Sequence, residues 1–153
     1  MRPTATILAV VALMVTFSSS VALASFENVI TGTDRTDVFT GTGKAEHIFG
    51  LGGGDRINAG GGNDLVEGGQ GADELGDGLG KDTVYGGSGQ DNLIGQGGDT
   101  SPDRFYAGTG NDIVQPVDTP AVHDFVNCGP GTDTVYADKS DVINDNCERV
   151  RVQ

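Results

Sequence analysis

The chain has 153 residues, 26 of them glycine, and a net charge of −13 from 22 acidic residues against nine basic ones. That balance excludes nucleic acid and anionic membranes as natural partners and favours cations. The glycine excess is periodic, which also excludes a flexible low-complexity linker.

The first residues fit an export signal. Met1 and Arg2 give a short positive start, Ile7 to Phe17 is almost wholly apolar, and Val21-Ala22-Leu23-Ala24 ends in a small-x-small pattern. The apolar run is shorter than the roughly 20 residues of a spanning helix and stops at Ser18-Ser19-Ser20. Residues 1–24 are therefore expected to be a signal peptide cleaved after Ala24. The mature chain, 25–153, would be secreted, would hold no membrane span, and suits one domain.

From Asp37 onward the chain falls into units in which an acid is position six and glycine favours positions one, two and four. The acids are Asp37, Glu46, Asp55, Asp64, Asp73, Asp82, Asp91, Asp103, Asp112, Asp124 and Asp133. Eight of the ten steps are nine residues long; the steps 91 to 103 and 112 to 124 are twelve. Two positions after each acid stands an apolar residue: Phe39, Ile48, Ile57, Val66, Leu75, Val84, Leu93, Phe105, Val114, Val126 and Val135. That match persists through both long units and places Asp103 and Asp124 in the series.

Each unit predicts a glycine-rich turn of about six residues and a strand of about three, since glycine permits positive φ and close backbone approach, and β-branched residues suit strands. One inward apolar side chain per unit cannot form a core alone, so units must stack. Stacked strands lie roughly 4.8 Å apart. Aligned carboxylates at that distance repel by roughly 3–4 kcal/mol at an effective dielectric near 20, so a cation must lie between them. Calcium, with six to eight oxygen ligands in flexible geometry, suits turn carbonyls plus aspartates better than magnesium with its strict octahedron.

Units such as Gly68-Gly69-Gln70-Gly71-Ala72-Asp73-Glu74-Leu75-Gly76 and Gly86-Gly87-Ser88-Gly89-Gln90-Asp91-Asn92-Leu93-Ile94 resemble the RTX (haemolysin-type) calcium-binding nonapeptide G-G-x-G-x-D-x-U-x. The resemblance runs from about Gly32 to Tyr136. It implies an all-β, right-handed parallel β-roll (a β-solenoid) with two units per coil and several calcium ions held between successive turns. The expected ligands are Asp55, Asp64, Asp73, Asp82, Asp91, Asp112 and Asp133, with the turn backbone of Gly53, Gly62, Gly71, Gly80, Gly89 and Gly110.

With two units per coil, Asp37, Asp55, Asp73, Asp91, Asp112 and Asp133 share one edge, and Glu46, Asp64, Asp82, Asp103 and Asp124 the other. Both long units fall on the second edge, where Gly98-Asp99-Thr100-Ser101-Pro102 and Pro120-Ala121-Val122-His123 replace the glycine pattern. Calcium is therefore expected along most of the first edge, and on the second only around Asp64 and Asp82. Arg35 and Lys44 replace the fourth-position glycine in the first two units. Residues 25–49 are accordingly read as a degenerate N-terminal cap, residues 50–136 as the calcium-binding roll and residues 137–153 as a C-terminal cap.

The segment from Asp141 to Val150 breaks the rhythm and is similar to the closing segment of small secreted members of that family. Cys128 and Cys147 are the only cysteines. In an oxidising compartment they are most simply a disulfide, worth roughly 3 kcal/mol for a loop of this size, which would fasten the end onto the last coil. His47 and His123 are the only histidines, expected on solvent-facing turns, and no G-x-S-x-G elbow or phosphate-binding G-x-x-x-x-G-K-[ST] occurs. Tyr85, Tyr106 and Tyr136 close their units facing outward. The pairs Thr31-Gly32-Thr33 and Thr40-Gly41-Thr42 resemble ice-binding threonine arrays but stop after two units. The reading is a non-enzymatic, secreted calcium-binding protein that folds on calcium; the alternative is a structural or adhesive surface protein using the roll as a rigid scaffold.

Overall fold

The computed structural model describes residues 28–117 and 122–153. The expected signal peptide lies outside the described residues, as do Pro120 and Ala121 of the second long unit. The chain is an all-β parallel roll, as the repeat predicts. One sheet orders β1 (Asn28–Thr31), β3 (Glu46–Gly52), β5 (Leu65–Gln70), β7 (Thr83–Gly89), β9 (Arg104–Gly110), β11 (Phe125–Asn127) and β13 (Val142–Ile143). The other orders β2 (Val38–Thr40), β4 (Arg56–Asn58), β6 (Glu74–Gly76), β8 (Asn92–Ile94), β10 (Ile113–Gln115), β12 (Thr134–Ala137) and β14 (Arg149–Val152). Successive units alternate between the sheets, so each pair of units makes one coil.

The register shows how the long units are absorbed. Ile48 pairs with Val66 and Ile57 with Leu75, one 18-residue coil apart. Val84 pairs with Phe105 and Leu93 with Val114, 21 residues apart, so three inserted residues bulge from the turn and leave the ladder in phase.

Because side chains alternate across a strand, the apolar residue two after each acid points inward and its neighbours point out. Ile48, Val66, Val84, Phe105 and Val126 from one sheet and Ile57, Leu75, Leu93, Val114 and Val135 from the other are all buried, facing each other as two columns. Burying each is worth roughly 1.5–3 kcal/mol. Phe39 and Ile30, in the first coil, are only partly covered. Val29 and Val38 are exposed there.

The expected division into a six-residue turn and a three-residue strand holds on the second sheet and fails on the first, where β3, β5, β7 and β9 run six or seven residues. The glycines after the inward residue are themselves laddered coil to coil, as Gly69 on Gly87 and Gly87 on Gly108. With no Cβ between them the turn backbones approach closely enough to pair.

Position two of the unit takes positive φ at Gly60, Gly69, Gly78, Gly87, Gly108 and Gly129. Leu51 occupies the same position at φ +77°, with its side chain 44% exposed. A branched side chain there costs roughly 1–2 kcal/mol, partly offset by the chain entropy glycine loses on folding. Leu51→Gly is therefore expected to stabilise the roll by roughly 0.5–1 kcal/mol, read as a rise in thermal midpoint in calcium; a fall would show that Leu51 makes packing contacts worth more than its strain.

Cys128 and Cys147 form a disulfide with a Cα–Cα distance of 5.2 Å, as expected. Cys128 is fully buried at position one of the last full unit, so the bond ties the C-terminal segment onto the core.

Candidate metal centre

The acids form two continuous ladders, one along each edge where the chain enters a strand. The backbone N–H of each acid donates to the near carboxylate oxygen of the acid one coil further on. On the first edge these bonds run from Asp37 to Asp55 (2.8 Å), Asp55 to Asp73 (2.7 Å), Asp73 to Asp91 (2.9 Å), Asp91 to Asp112 (2.9 Å) and Asp112 to Asp133 (2.8 Å). On the second they run from Glu46 to Asp64 (2.7 Å), Asp64 to Asp82 (2.6 Å), Asp82 to Asp103 (2.7 Å) and Asp103 to Asp124 (2.8 Å). The alignment of carboxylates was legible from the spacing; the side chain-to-backbone bond that enforces it was not.

Each aspartate thus spends one oxygen, Oδ1, on its neighbour. The second oxygen, Oδ2, of Asp55, Asp64, Asp73, Asp82, Asp91, Asp112 and Asp133 is buried with no hydrogen-bond partner. Asp103 and Asp124, on the edge carrying both long units, do not share that state. A buried carboxylate oxygen left unmatched costs roughly 1–3 kcal/mol or more. Seven such oxygens in two rows are a donor set for hard cations. The carboxyl groups record the same cost. Burial pushes Asp82 and Asp91 up to about 7 and Asp64 up to about 6; the ladder hydrogen bond pulls each back and the like charges along the ladder add to the rise. Burial, with the charges of Asp77, Asp82 and Asp124, pushes Asp103 up to about 9. Asp73, Asp112 and Asp133 are also raised, again first by burial.

The turn glycines expected to serve the ions all take positive φ: Gly53, Gly62, Gly71, Gly80, Gly89 and Gly110 lie between +109° and +151°. That conformation turns the backbone at position four, two residues before the acid.

The ends of the ladders are closed by side chains. The Asp37 carboxylate accepts the Thr33 N–H (2.7 Å) and hydroxyl (2.8 Å). Glu46, fully buried, accepts the Thr42 N–H (2.9 Å) and hydroxyl. Position-two threonine therefore gives each of the first two acids a donor of its own, which accounts for Thr33 and Thr42 of the two Thr-Gly-Thr pairs. At the other end Asp133 N–H donates to Glu148 (2.9 Å) and Asp124 N–H to Asp141 (3.2 Å). These two acids extend the ladders into the C-terminal segment, a continuation that the sequence reading missed. The acid-x-apolar spacing of Asp141–Ile143 and Glu148–Val150 carried the signal; steps of 17 and 15 residues hid it.

Among the described residues, two further buried acids, Asp77 and Asp99, lie outside the series. Asp99 pins the first insertion, accepting the N–H of Gly80 (2.8 Å), Thr100 and Ser101 (3.0 Å). The histidines serve structure. His47 is not on a turn but in β3, its ring 3.8 Å from that of Phe49 and its Nε2 2.8 Å from Glu67. His123 Nδ1 lies 2.7 Å from the Ser140 carbonyl oxygen. Tyr85 and Tyr106 stack with centroids 4.8 Å apart because the 21-residue register places them side by side, and Tyr136 lies under the Arg151 guanidinium. Among the described residues no helix is long and apolar enough to cross a membrane.

Residues 40–75 and 77–114 match the family described as the RTX calcium-binding nonapeptide repeat (4 copies). No curated protein and no solved structure shows a significant match to the chain.

Proposed function

Residues 40–75 and 77–114 are RTX calcium-binding nonapeptide repeats, which bind calcium ions, and from that premise we propose that the chain is a secreted, non-catalytic protein whose roll folds on calcium. The observation that carries this reading is the double row of buried, unmatched Oδ2 atoms on Asp55, Asp64, Asp73, Asp82, Asp91, Asp112 and Asp133. Without cations those rows add to the conformational entropy that one apolar residue per unit must already offset; with calcium, binding energy becomes folding energy. Export is supported by the apolar N-terminal segment and by the Cys128–Cys147 disulfide, which persists in oxidising compartments. Outside the cell, calcium is also the abundant hard divalent cation able to take carboxylate and turn-carbonyl oxygens in irregular geometry.

The test is far-ultraviolet circular dichroism of residues 25–153 during a calcium titration, with magnesium as the control and the disulfide kept oxidised. Disorder in chelator and β-structure in calcium but not magnesium is the expected result. A chain already folded in chelator and unmoved by calcium would overturn calcium-driven folding and favour the rigid-scaffold reading.

A further inference from the structure

Asp77 stands at position one of its unit, where the other nine-residue units carry only small residues: Gly32, Gly41, Gly50, Ala59, Gly68, Gly86, Ala107 and Cys128. A side chain at that position is directed at the acid of its own unit. A Cβ built on Gly50, Gly68 or Gly86 would lie 2.4, 2.6 or 2.7 Å from Oδ2 of Asp55, Asp73 or Asp91. Asp77 is the place where the chain puts a carboxylate in that direction, and its ligand atom lies within 4.8 Å of those of Asp82 and Asp103, all three residues being buried. Asp82 spends Oδ1 on the Asp64 N–H, and its Oδ2 is buried without a partner, so that oxygen remains for the cluster.

The neighbouring backbone explains why a third carboxylate is placed there. One coil earlier, Gly62 N–H donates to the Leu79 carbonyl oxygen (2.8 Å), turn against turn. At Gly80 the next turn is displaced by the insertion, and the Asp99 side chain takes the carbonyl's role (2.8 Å). The turn that would supply carbonyl oxygens beside Asp103 is out of phase with its neighbour. Asp77 reaches the same region from the preceding strand and is anchored across the coils, its Oδ1 accepting the N–H of Gly78 (2.6 Å) and Gln96 (2.9 Å).

We propose that Asp77, Asp82 and Asp103 form a three-carboxylate calcium site at the first enlarged coil, distinct in composition from the two-carboxylate intervals elsewhere, and that it is the tightest cation site of the roll. Affinity in oxygen-ligand calcium sites rises with the number of charged ligands, and three carboxylates this close repel one another unless a cation sits among them. The inference rests on the calcium reading above and adds a ligand outside the repeat pattern. It also makes Asp103 a ligand, against the expectation that the second edge weakens there.

The test uses the full chain with calcium, and terbium as a heavy probe. Asp77→Gly restores the residue most units carry at this position and Asp77→Asn keeps its shape. Each is expected to weaken the tightest calcium constant in calorimetric titration by at least about 10-fold, since the number of charged ligands tunes oxygen-ligand calcium sites, while leaving the weaker sites and the calcium-saturated circular dichroism spectrum unchanged. Crystals of the unaltered chain loaded with one equivalent of terbium should show their strongest anomalous peak among Asp77, Asp82 and Asp103, a result independent of whether either variant folds. An unchanged tightest constant, or a first terbium elsewhere on the roll, overturns this site and leaves the calcium reading standing. Failure of the unaltered chain to bind calcium at all overturns both.

Discussion

In saturating calcium, Gly71→Ala is expected to leave the chain with the spectrum the unaltered protein has in chelator. Gly71 sits at φ +135°, and a Cβ there would lie 1.4 Å from the Gly53 carbonyl oxygen and 2.5 Å from its carbon. The first term, a left-handed conformation, costs roughly 1–2 kcal/mol. The second is larger, because the obstacle is backbone that cannot swing aside. Moving the coil away from Gly53 would pull apart the ladder that pairs Leu51 with Gly69 and Gly52 with Gln70, and the next coils repeat the constraint, Gly89 against Gly71 and Gly110 against Gly89. A combined cost above roughly 4–5 kcal/mol is a large part of the 5–15 kcal/mol that holds a domain together. Gly43→Ala is the matched control. Its Cβ would meet nothing within 4 Å, and its effect should stay within about 0.5 kcal/mol. Circular dichroism in calcium of the two variants decides the matter; a folded Gly71→Ala protein would mean the coils are not stacked at this spacing.

Asp91→Asn is expected to change sign with calcium. Asparagine keeps an oxygen to accept the Asp73 N–H (2.9 Å) and removes the charge on the buried second atom. In chelator the substitution should stabilise the roll by roughly 1–3 kcal/mol, the desolvation cost it relieves. In calcium it should destabilise the roll and raise the calcium concentration needed for folding. The pH dependence follows from the same carboxyl, whose pKa is pushed up to about 7, first by burial. A carboxyl that holds its proton more tightly folded than unfolded contributes stability that is present at low pH and lost as pH rises through about 7. The folded fraction of the unaltered chain in chelator should therefore be larger at pH 5 than at pH 8, and that of Asp91→Asn should change less between the two. Far-ultraviolet circular dichroism at both pH values, with and without calcium, is the measurement. A variant less stable in both conditions would make Asp91 only a hydrogen-bond acceptor.

Much of the architecture was legible from Asp37 to Val135, because a fixed offset between acid and apolar residue survives even where the unit lengthens from nine to twelve. That offset is local: it follows from the turn ending at the acid and from strand alternation placing the second residue after it inward. Phe105 and Val126 were identified in this way despite the insertions before them, and both are buried in the columns. Positions needing positive φ were also legible, since glycine marks them; Leu51 is the exception the sequence did not flag.

What one unit does for its neighbour required the folded coil. The N–H of Asp73 reaching Asp91 and the continuation of the ladders into Asp141 and Glu148 are contacts between residues 15 to 18 positions apart, set by coil-to-coil stacking. The convergence of Asp77 on Asp82 and Asp103 is of the same kind. By itself the sequence determined the repeat, the inward column, the series of acids and, on the expectation of export, the cysteine pair. Tertiary structure alone decided which carboxylate oxygens are matched and which are buried without a partner, because that state depends on the coils above and below, and a periodic chain writes every coil in nearly the same letters.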